Sequence, residues 1–136
     1  MLNVGIIFLV NIRNKRVGLI IILELVIASY FVIGADWAGH DFNLMFNSYF
    51  ADIFLPFGFY FLLHLFGDKY NYFDKWWKKA ILIFVLVSLS ETLQYFGIYA
   101  LATVFDPLDY LMYAIGVLLA SFVDRKILVK RFSYWN

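Results

Sequence analysis

Hydrophobic residues fill four long stretches of this chain, and short polar segments separate the stretches. They cover roughly residues 17–35, 48–66, 80–100 and 107–123. An α-helix needs about 20 mostly apolar residues to cross a bilayer, and each stretch is close to that length. The pattern therefore predicts an all-α fold, a membrane-embedded four-helix bundle in which residues 1–136 form a single domain.

Composition supports lipid as the solvent of this fold. Hydrophobic residues make up 64% of the chain and charged residues only 15%, whereas about 25% charged residues is usual in soluble domains. The chain contains no cysteine, which excludes disulfides, thiolate metal sites and a cysteine nucleophile. The apolar residues 1–10 are too few to span a bilayer, so we expect them to lie along its interface.

The basic residues predict how the helices are oriented. All eleven Lys and Arg residues precede the first stretch, separate the second from the third, or follow the fourth. Loops 36–47 and 101–106 contain none, so the positive-inside rule places both termini in the cytoplasm and these two loops outside. Trp76, Trp77 and Trp135 are then expected at the cytoplasmic interface. Because the bases are dispersed, we expect membrane lipids and not nucleic acid as partners.

The acidic residues of the outward half have no base near them in the sequence. Asp52, Glu91 and Asp109 lie within predicted spans, where an ionisable side chain costs on the order of 3 kcal/mol and usually faces the bundle interior. Helical spacing agrees with an interior polar face. One face of the third span carries Ser88, Glu91, Gln94 and Tyr95, and along the second span Asp52, Pro56, Tyr60 and His64 recur at i+4.

The fourth stretch has a stripe of its own, which contains Asp109, Tyr113, Gly116 and Ala120. Gly116 and Ala120 are small residues one turn apart, a spacing that lets a neighbouring helix approach closely. We therefore expect this stripe to pack against another helix, with Asp109 at its outer end. Asp106 and Pro107 predict the helix start, since Asp caps free N–H groups and proline suits the first turn.

The stretch from Ser90 to Ala120 resembles the core of the VanZ-like family of small bacterial membrane proteins. The family has an E-x-x-Q motif on one span, matched by Glu91 and Gln94. On the next span it has an Asp followed by G-x-x-x-small, matched by Asp109, Gly116 and Ala120. The sequence FDPLD, residues 105–109, is similar to the family's F-D-x-x-D. Two positions where the family commonly has Arg and Asn are Thr103 and Tyr113 here, and the resemblance covers roughly residues 48–123.

This resemblance implies a multi-pass protein of the bacterial cytoplasmic membrane with a role in the cell envelope. The founding member is linked to low-level teicoplanin resistance, and the family has no established reaction. We therefore expect non-catalytic or cryptic binding, without metal or cofactor, of an envelope lipid headgroup or a glycopeptide-type antibiotic. The expected ligand site is an outward-facing acidic cavity lined by Asp52, Glu91, Gln94, Asp109 and Tyr113.

Two alternatives stay open at this point. A small membrane enzyme acting on an envelope lipid or precursor would use His40 and Asp41, in the outer loop, as general base or metal ligands alongside Asp36 and Asp52. Ion or proton conduction would use Glu24, Glu91 and His64, which lie at successive predicted depths. The sequence is compatible with a monomer and with an oligomer.

Overall fold

The computed structural model describes the backbone of residues 2–34, 40–65, 71–100 and 105–135. It describes the side chains of the same residues except 2, 31–34, 40–48 and 71. The long helices are α1 (Leu2–Gly34), α2 (His40–His64), α3 (Trp76–Tyr95) and α4 (Leu108–Phe122). A 3-10 turn (Asn71–Phe73) precedes α3, and a π-helical segment (Val123–Leu128) joins α4 to the short α5 (Val129–Arg131).

The predicted all-α fold is confirmed, and the described residues contain no β-strand. None of the helices, over the ranges given above, is both long enough and apolar enough to cross a membrane.

Three of the four long helices begin earlier than hydropathy predicts. Most notably, α1 starts at Leu2 and continues without a break through the predicted first span. Arg13, Lys15 and Arg16 interrupt the apolar pattern there, but Lys and Arg are good helix formers, so the helix continues through them. Residues 2–10 therefore belong to α1, while their location along an interface stays a prediction.

The end of α3 is also different from the prediction, which extended the helix to position 100. Gly97 adopts a positive φ of 75°, a conformation that favours glycine. Its N–H donates to the carbonyl of Gln94 at 2.9 Å, and the N–H of Ile98 donates to that of Leu93 at 3.0 Å. This pair of bonds closes the helix in a Schellman motif. The apolar residues that follow Gly97 therefore leave the helix axis.

Contacts between helices define their directions. Asp52, at the middle of α2, meets Asp109, near the start of α4. Tyr60, further along α2, reaches Asp124 beyond the end of α4, so these two helices run parallel. Lys79, near the start of α3, also contacts Asp124, so α3 is antiparallel to α4.

The first helix packs along α2 in the opposite direction. Tyr30 stacks on Phe50 with ring centres 5.1 Å apart, and Glu24 lies against Gly58. The helices thus have two common ends. The acidic end is the one where α3 ends and α4 starts, at the level of Asp52 and Asp109, and the basic end is the opposite one.

The closest approach between backbones is that of α4 to α2. A Cβ atom at Gly116 would overlap the backbone carbonyl of Ile53 and would lie 2.7 Å from the ring of Pro56. Ala120, one turn later, is fully buried. The core continues from this contact toward the basic end, where Phe61, Ile83 and Trp135 are enclosed between the helices. The α2–α4 contact determines the separation of the polar side chains that these helices carry.

Candidate functional site

Polar side chains gather in two separate clusters, one at each end of the helices. The acidic cluster, at the acidic end, consists of Asp52, Glu91, Asp106 and Asp109. The Asp124 network, at the basic end, consists of Tyr60, His64, Lys79, Asp124 and Trp135. The helical stripe predicted on α2 contributes to both, since Asp52 belongs to the first cluster and Tyr60 and His64 to the second.

Glu91 is the most deeply buried acid of the acidic cluster, with 1% of its surface exposed. One carboxylate oxygen accepts the backbone N–H of Asp106 at 2.7 Å, and the other accepts the hydroxyl of Tyr113 at 3.3 Å. Asp106 in turn accepts the N–H of Leu108 at 3.0 Å and caps α4, as the sequence predicts. Glu91 therefore anchors the start of α4 and lies behind the rest of the cluster.

Asp52 and Asp109 belong to the accessible part of the acidic cluster. Both are partly exposed, as is Asp106, and the carboxyl groups of Asp52 and Asp109 are neighbours that interact directly. A hydrogen bond between two carboxyl groups requires a proton on one of them, because two carboxylates repel each other. Glu91 and Asp106 are close enough to add to this repulsion. A cation placed between Asp52 and Asp109 would relieve it.

No lysine or arginine neutralises the acidic end within the described part of the chain. The described residues 17–30, 49–65, 81–100 and 105–122, which form the helices at and near this end, contain neither residue type. Unit charges about 4 Å apart interact by about 4 kcal/mol at an effective dielectric constant of 20, so an unbalanced acidic cluster attracts a positive group strongly. The arrangement is thus suited to binding a cation from outside the chain.

Gln94, the partner of Glu91 in the E-x-x-Q motif, has a different neighbour. Its side-chain N–H donates to the carbonyl of Ala100 at 2.7 Å, and the hydroxyl of Ser90 donates to the same oxygen at 2.6 Å. Both bonds attach the segment after Gly97 to α3. The side-chain oxygen of Gln94 is buried and has no hydrogen-bond partner among the described residues.

The predicted interior positions of Tyr113 and Tyr95 have different outcomes. Tyr113, predicted to line the site, contacts the cluster through its bond to Glu91 and is 5% exposed. Tyr95, predicted on the interior face of the third span, is instead 66% exposed. The reason is that α3 ends at Tyr95, so its side chain points past the neighbouring helices and stacks edge-on against Phe105.

The Asp124 network is buried except at His64, which is partly exposed. Oδ2 of Asp124 accepts the hydroxyl of Tyr60 at 2.5 Å and the ammonium of Lys79 at 3.3 Å, while Oδ1 accepts the indole N–H of Trp135 at 2.7 Å. The Lys79 nitrogen also lies 2.8 Å from Nδ1 of His64, whose ring stacks on Trp135. Each oxygen of the buried carboxylate therefore has a partner.

Electrostatic interactions within this network favour the ionised form of the Asp124 carboxyl group. Burial alone would raise the pKa of the Asp124 carboxyl, but the charge of Lys79 and the hydrogen bonds from Trp135 and Tyr60 together keep that pKa below its usual value. Burial lowers the pKa of the Lys79 ammonium, and the neighbouring Asp124 offsets only part of that effect. The carboxylate is thus the best stabilised charge of the network.

Sequence reasoning missed Lys79 and Asp124, and it missed the contacts of Trp135. Trp135 is fully buried, donates to Asp124 and stacks on His64, while its location at a membrane interface stays a prediction. A signal for Asp124 does exist, since it lies at helical spacing from the buried residues Val117, Ala120 and Ser121. Its partner on α3, Lys79, lies at the same kind of spacing from the buried residues Ile83 and Val87.

The residues proposed for ion conduction are not joined to one another. Glu91 contacts Asp106 and Tyr113, whereas His64 belongs to the Asp124 network. Glu24 lies beside Gly58 in a groove of about 270 Å³, and its buried oxygen has no hydrogen-bond partner among the described residues. Within the described residues, no hydrogen bond joins Glu24 to Glu91.

The residues of the enzyme alternative, His40 and Asp41, lie outside the side chains that the structure describes. In the part that is described, no group of three or more histidine, aspartate or glutamate side chains is arranged to hold a metal ion. Comparisons of this chain with models of protein families, with curated proteins and with solved structures found no match.

Proposed function

We propose that this chain is an integral membrane protein of the bacterial cell envelope, similar to the VanZ-like family, that binds a cationic group with its acidic cluster. The ligand class is an amine-bearing envelope lipid headgroup or a glycopeptide-type antibiotic. The observation that carries the proposal is the Asp52–Asp109 pair, two adjacent carboxyl groups on different helices with two further acids beside them.

Exposed apolar side chains support a lipid environment. Residues that are at least half exposed include Ile21, Ile22, Leu25 and Val26 on α1, Ile81, Val85, Leu86 and Leu89 on α3, and Leu111, Leu118 and Phe122 on α4. Monomeric soluble proteins rarely expose continuous apolar surface on this scale. The outward faces of these helices are therefore suited to contact with acyl chains.

The separation of charges supports the proposed orientation. Lys15 on α1 lies 5.8 Å from the ring centre of Tyr134, and Lys79 contacts Asp124, so bases that are far apart in sequence share the basic end. The acidic cluster occupies the opposite end. With the basic end in the cytoplasm, as the positive-inside rule requires, the acidic cluster faces outward.

A bound cation would relieve the repulsion between the two carboxyl groups. An ammonium group donates several hydrogen bonds. Its positive charge supplies the partner that Asp52 and Asp109 lack among the described residues. Glu91 takes no direct part in this contact, because it is only 1% exposed and its oxygens face donors of the protein. Its role is to position Asp106 and the start of α4, and thereby Asp109.

The experiment compares wild type with Asp52→Asn and Asp109→Asn. We expect mass spectrometry of the lipids that copurify with the wild-type protein to show enrichment of one amine-bearing class, and each variant to lose it. Loss of a hydrogen bond to a charged group weakens binding by on the order of tenfold or more. In a strain that depends on the protein for low-level teicoplanin resistance, both variants should be more susceptible.

The matched control is Asp74→Asn. Asp74 is an exposed acid at the basic end, where it lies 3.9 Å from Lys78, and it should affect neither the lipid profile nor the susceptibility. If both cluster variants accumulate in membranes at the wild-type level and leave lipids and susceptibility unchanged, the proposed binding role is wrong. Lipid loss without a change in susceptibility would favour the headgroup over the antibiotic as ligand.

A further inference from the structure

A groove between α3 and α4 is apolar at one end and basic at the other. Its apolar part is a cavity of about 390 Å³ lined by residues that include Trp77, Ile81, Phe84 and Val117. Its polar part is a cavity of about 440 Å³ lined by residues that include Ser121, Phe122, Arg125 and Lys126. Both parts share Trp76 and Leu118 as walls, so they adjoin.

The two bases of this groove are available to a ligand. Arg125 and Lys126 are exposed, and within the described residues neither of them forms an ion pair. Arginine binds phosphate through two parallel hydrogen bonds, and lysine adds a second positive charge. A phosphate group at this end of the groove would therefore be held by charge as well as by hydrogen bonds.

The apolar end has the dimensions and surface that an alkyl chain requires. Small-molecule sites usually have volumes of about 300–1,000 Å³, a range that includes each part of the groove. Trp76 and Trp77 are 40% and 44% exposed at its entrance, and indole rings favour the level of lipid headgroups. An amphiphile with a phosphate at Arg125 would extend its chain along Ile81 and Phe84.

The geometry points to this groove as a binding site for an anionic phospholipid of the inner leaflet. The headgroup phosphate lies on Arg125 and Lys126, and one acyl chain lies between α3 and α4. Charge complementarity selects this occupant over a zwitterionic lipid, whose amine the two bases would repel. The inference rests on the membrane location proposed above, and it does not depend on the acidic cluster.

The test uses quenching of tryptophan fluorescence by brominated lipids in vesicles that contain the full chain. Phosphatidylglycerol and phosphatidylcholine with the same brominated chains are compared at equal mole fraction in a phosphatidylcholine matrix. Trp76 and Trp77 line the groove, so a bound brominated chain quenches them. We expect stronger quenching by phosphatidylglycerol, corresponding to about a fivefold preference per base at low salt.

The double variant Arg125→Gln/Lys126→Gln removes the two bases and should abolish this preference. The matched control is Lys130→Gln/Arg131→Gln, which removes the same charge from two exposed positions that do not line the groove. The control should keep most of the preference. A second variant, Ala114→Phe, fills the apolar end without a change in charge and should reduce quenching by both lipids.

The possible outcomes separate the two proposals. Equal quenching by the two lipids would mean that any phospholipid occupies the groove, and equal losses in both double variants would mean general electrostatic attraction. Either result overturns the anionic site and leaves the membrane location standing. Quenching that varies with the protein-to-lipid ratio would identify a second copy as the occupant. If neither lipid quenches, the membrane location fails, and the lipid site fails with it.

Discussion

The hydroxyl of Tyr60 donates a hydrogen bond of 2.5 Å to the carboxylate of Asp124, 64 positions later in the chain. The same carboxylate accepts bonds from Lys79 and from Trp135, which lies close to the C-terminus. One acid thus connects α2, α3 and the segment that follows α5. These contacts identify Asp124 as a stabilising residue of the basic end.

Replacing Asp124 should destabilise the protein strongly. In Asp124→Ala the ammonium of Lys79 stays buried without its counter-ion, and breaking a buried ion pair in this way costs about 3–5 kcal/mol. The tryptophan and tyrosine donors also lose their acceptor. The check is the free energy of unfolding, or the thermal midpoint, in a mild detergent. Asp74→Ala is the control, since its exposed pair with Lys78 contributes no more than about 1 kcal/mol. Equal effects of the two changes would contradict the role given to Asp124.

The contribution of Asp124 should depend on pH in a defined direction. Its folded-state pKa lies below the usual value, so the unfolded chain binds more protons at this residue near pH 4. The stabilisation is therefore complete above the unfolded pKa, about 3.9, and is lost as pH falls through the folded pKa. We expect the stability difference between wild type and Asp124→Asn to be constant from about pH 5 to pH 7 and to shrink at lower pH.

That comparison cancels the carboxyl groups away from Asp124, because they are present in both proteins. Lys79 and His64 face Asp124 directly, and Asp124 raises the pKa of each, so Asp124→Asn also lowers the pKa values of these two groups. A difference that stays constant down to the lowest pH at which both proteins fold would show that Asp124 is not stabilised as a carboxylate.

Gly116 should tolerate no larger side chain. In Gly116→Ala the new Cβ overlaps the backbone of Ile53, which cannot move away as a flexible side chain can. Separation of α2 and α4 would cost about 1–3 kcal/mol, as in other overpacked cores. Gly18→Ala is the matched control, because no heavy atom lies within 4 Å of its Cβ position. There the substitution should stabilise α1 by about 0.5–1 kcal/mol. Thermal midpoints that move in the same direction would contradict the close contact.

The sequence predicts those features that repeat along one helix. Asp52, Tyr60 and His64 share a face because α-helical spacing requires it, and the structure does place that face toward other helices. Helical spacing does not predict that Asp52 and Tyr60 belong to different clusters. That depends on which residues α3 and α4 bring to each end, and such contacts, for example Lys79 with Asp124, join positions far apart in the sequence.

The ends of the helices show a second limit on what can be predicted from the sequence. The apolar run through Gly97 conceals the end of α3, because hydropathy carries no information about a backbone with positive φ. Asp106 and Pro107 gave the start of α4 correctly, since capping is a local interaction. The buried bond from Asp106 to Glu91 is not local, and it therefore could not be predicted.

The hydrogen bond between Glu91 and the Asp106 N–H should limit local unfolding at the start of α4. Glu91→Gln keeps an oxygen that accepts this N–H, whereas Glu91→Ala leaves it without a partner. We expect hydrogen exchange in residues 105–110 to be faster in Glu91→Ala than in Glu91→Gln and wild type. Leu89→Ala, at a position 53% exposed, is the control and should leave exchange there unchanged. Equal exchange in all four proteins would mean that the bond contributes nothing to the start of the helix.

The proposed orientation can be checked with single cysteines, because the chain has none of its own. Ile98 is 53% exposed near the acidic end, and Ser133 is exposed near the basic end. With the acidic cluster facing outward, a membrane-impermeant maleimide should label Ile98→Cys in intact cells. It should label Ser133→Cys only after the cells are permeabilised. Labelling of Ser133→Cys in intact cells, with Ile98→Cys protected, would turn the acidic cluster toward the cytoplasm, where it could meet no envelope ligand from outside.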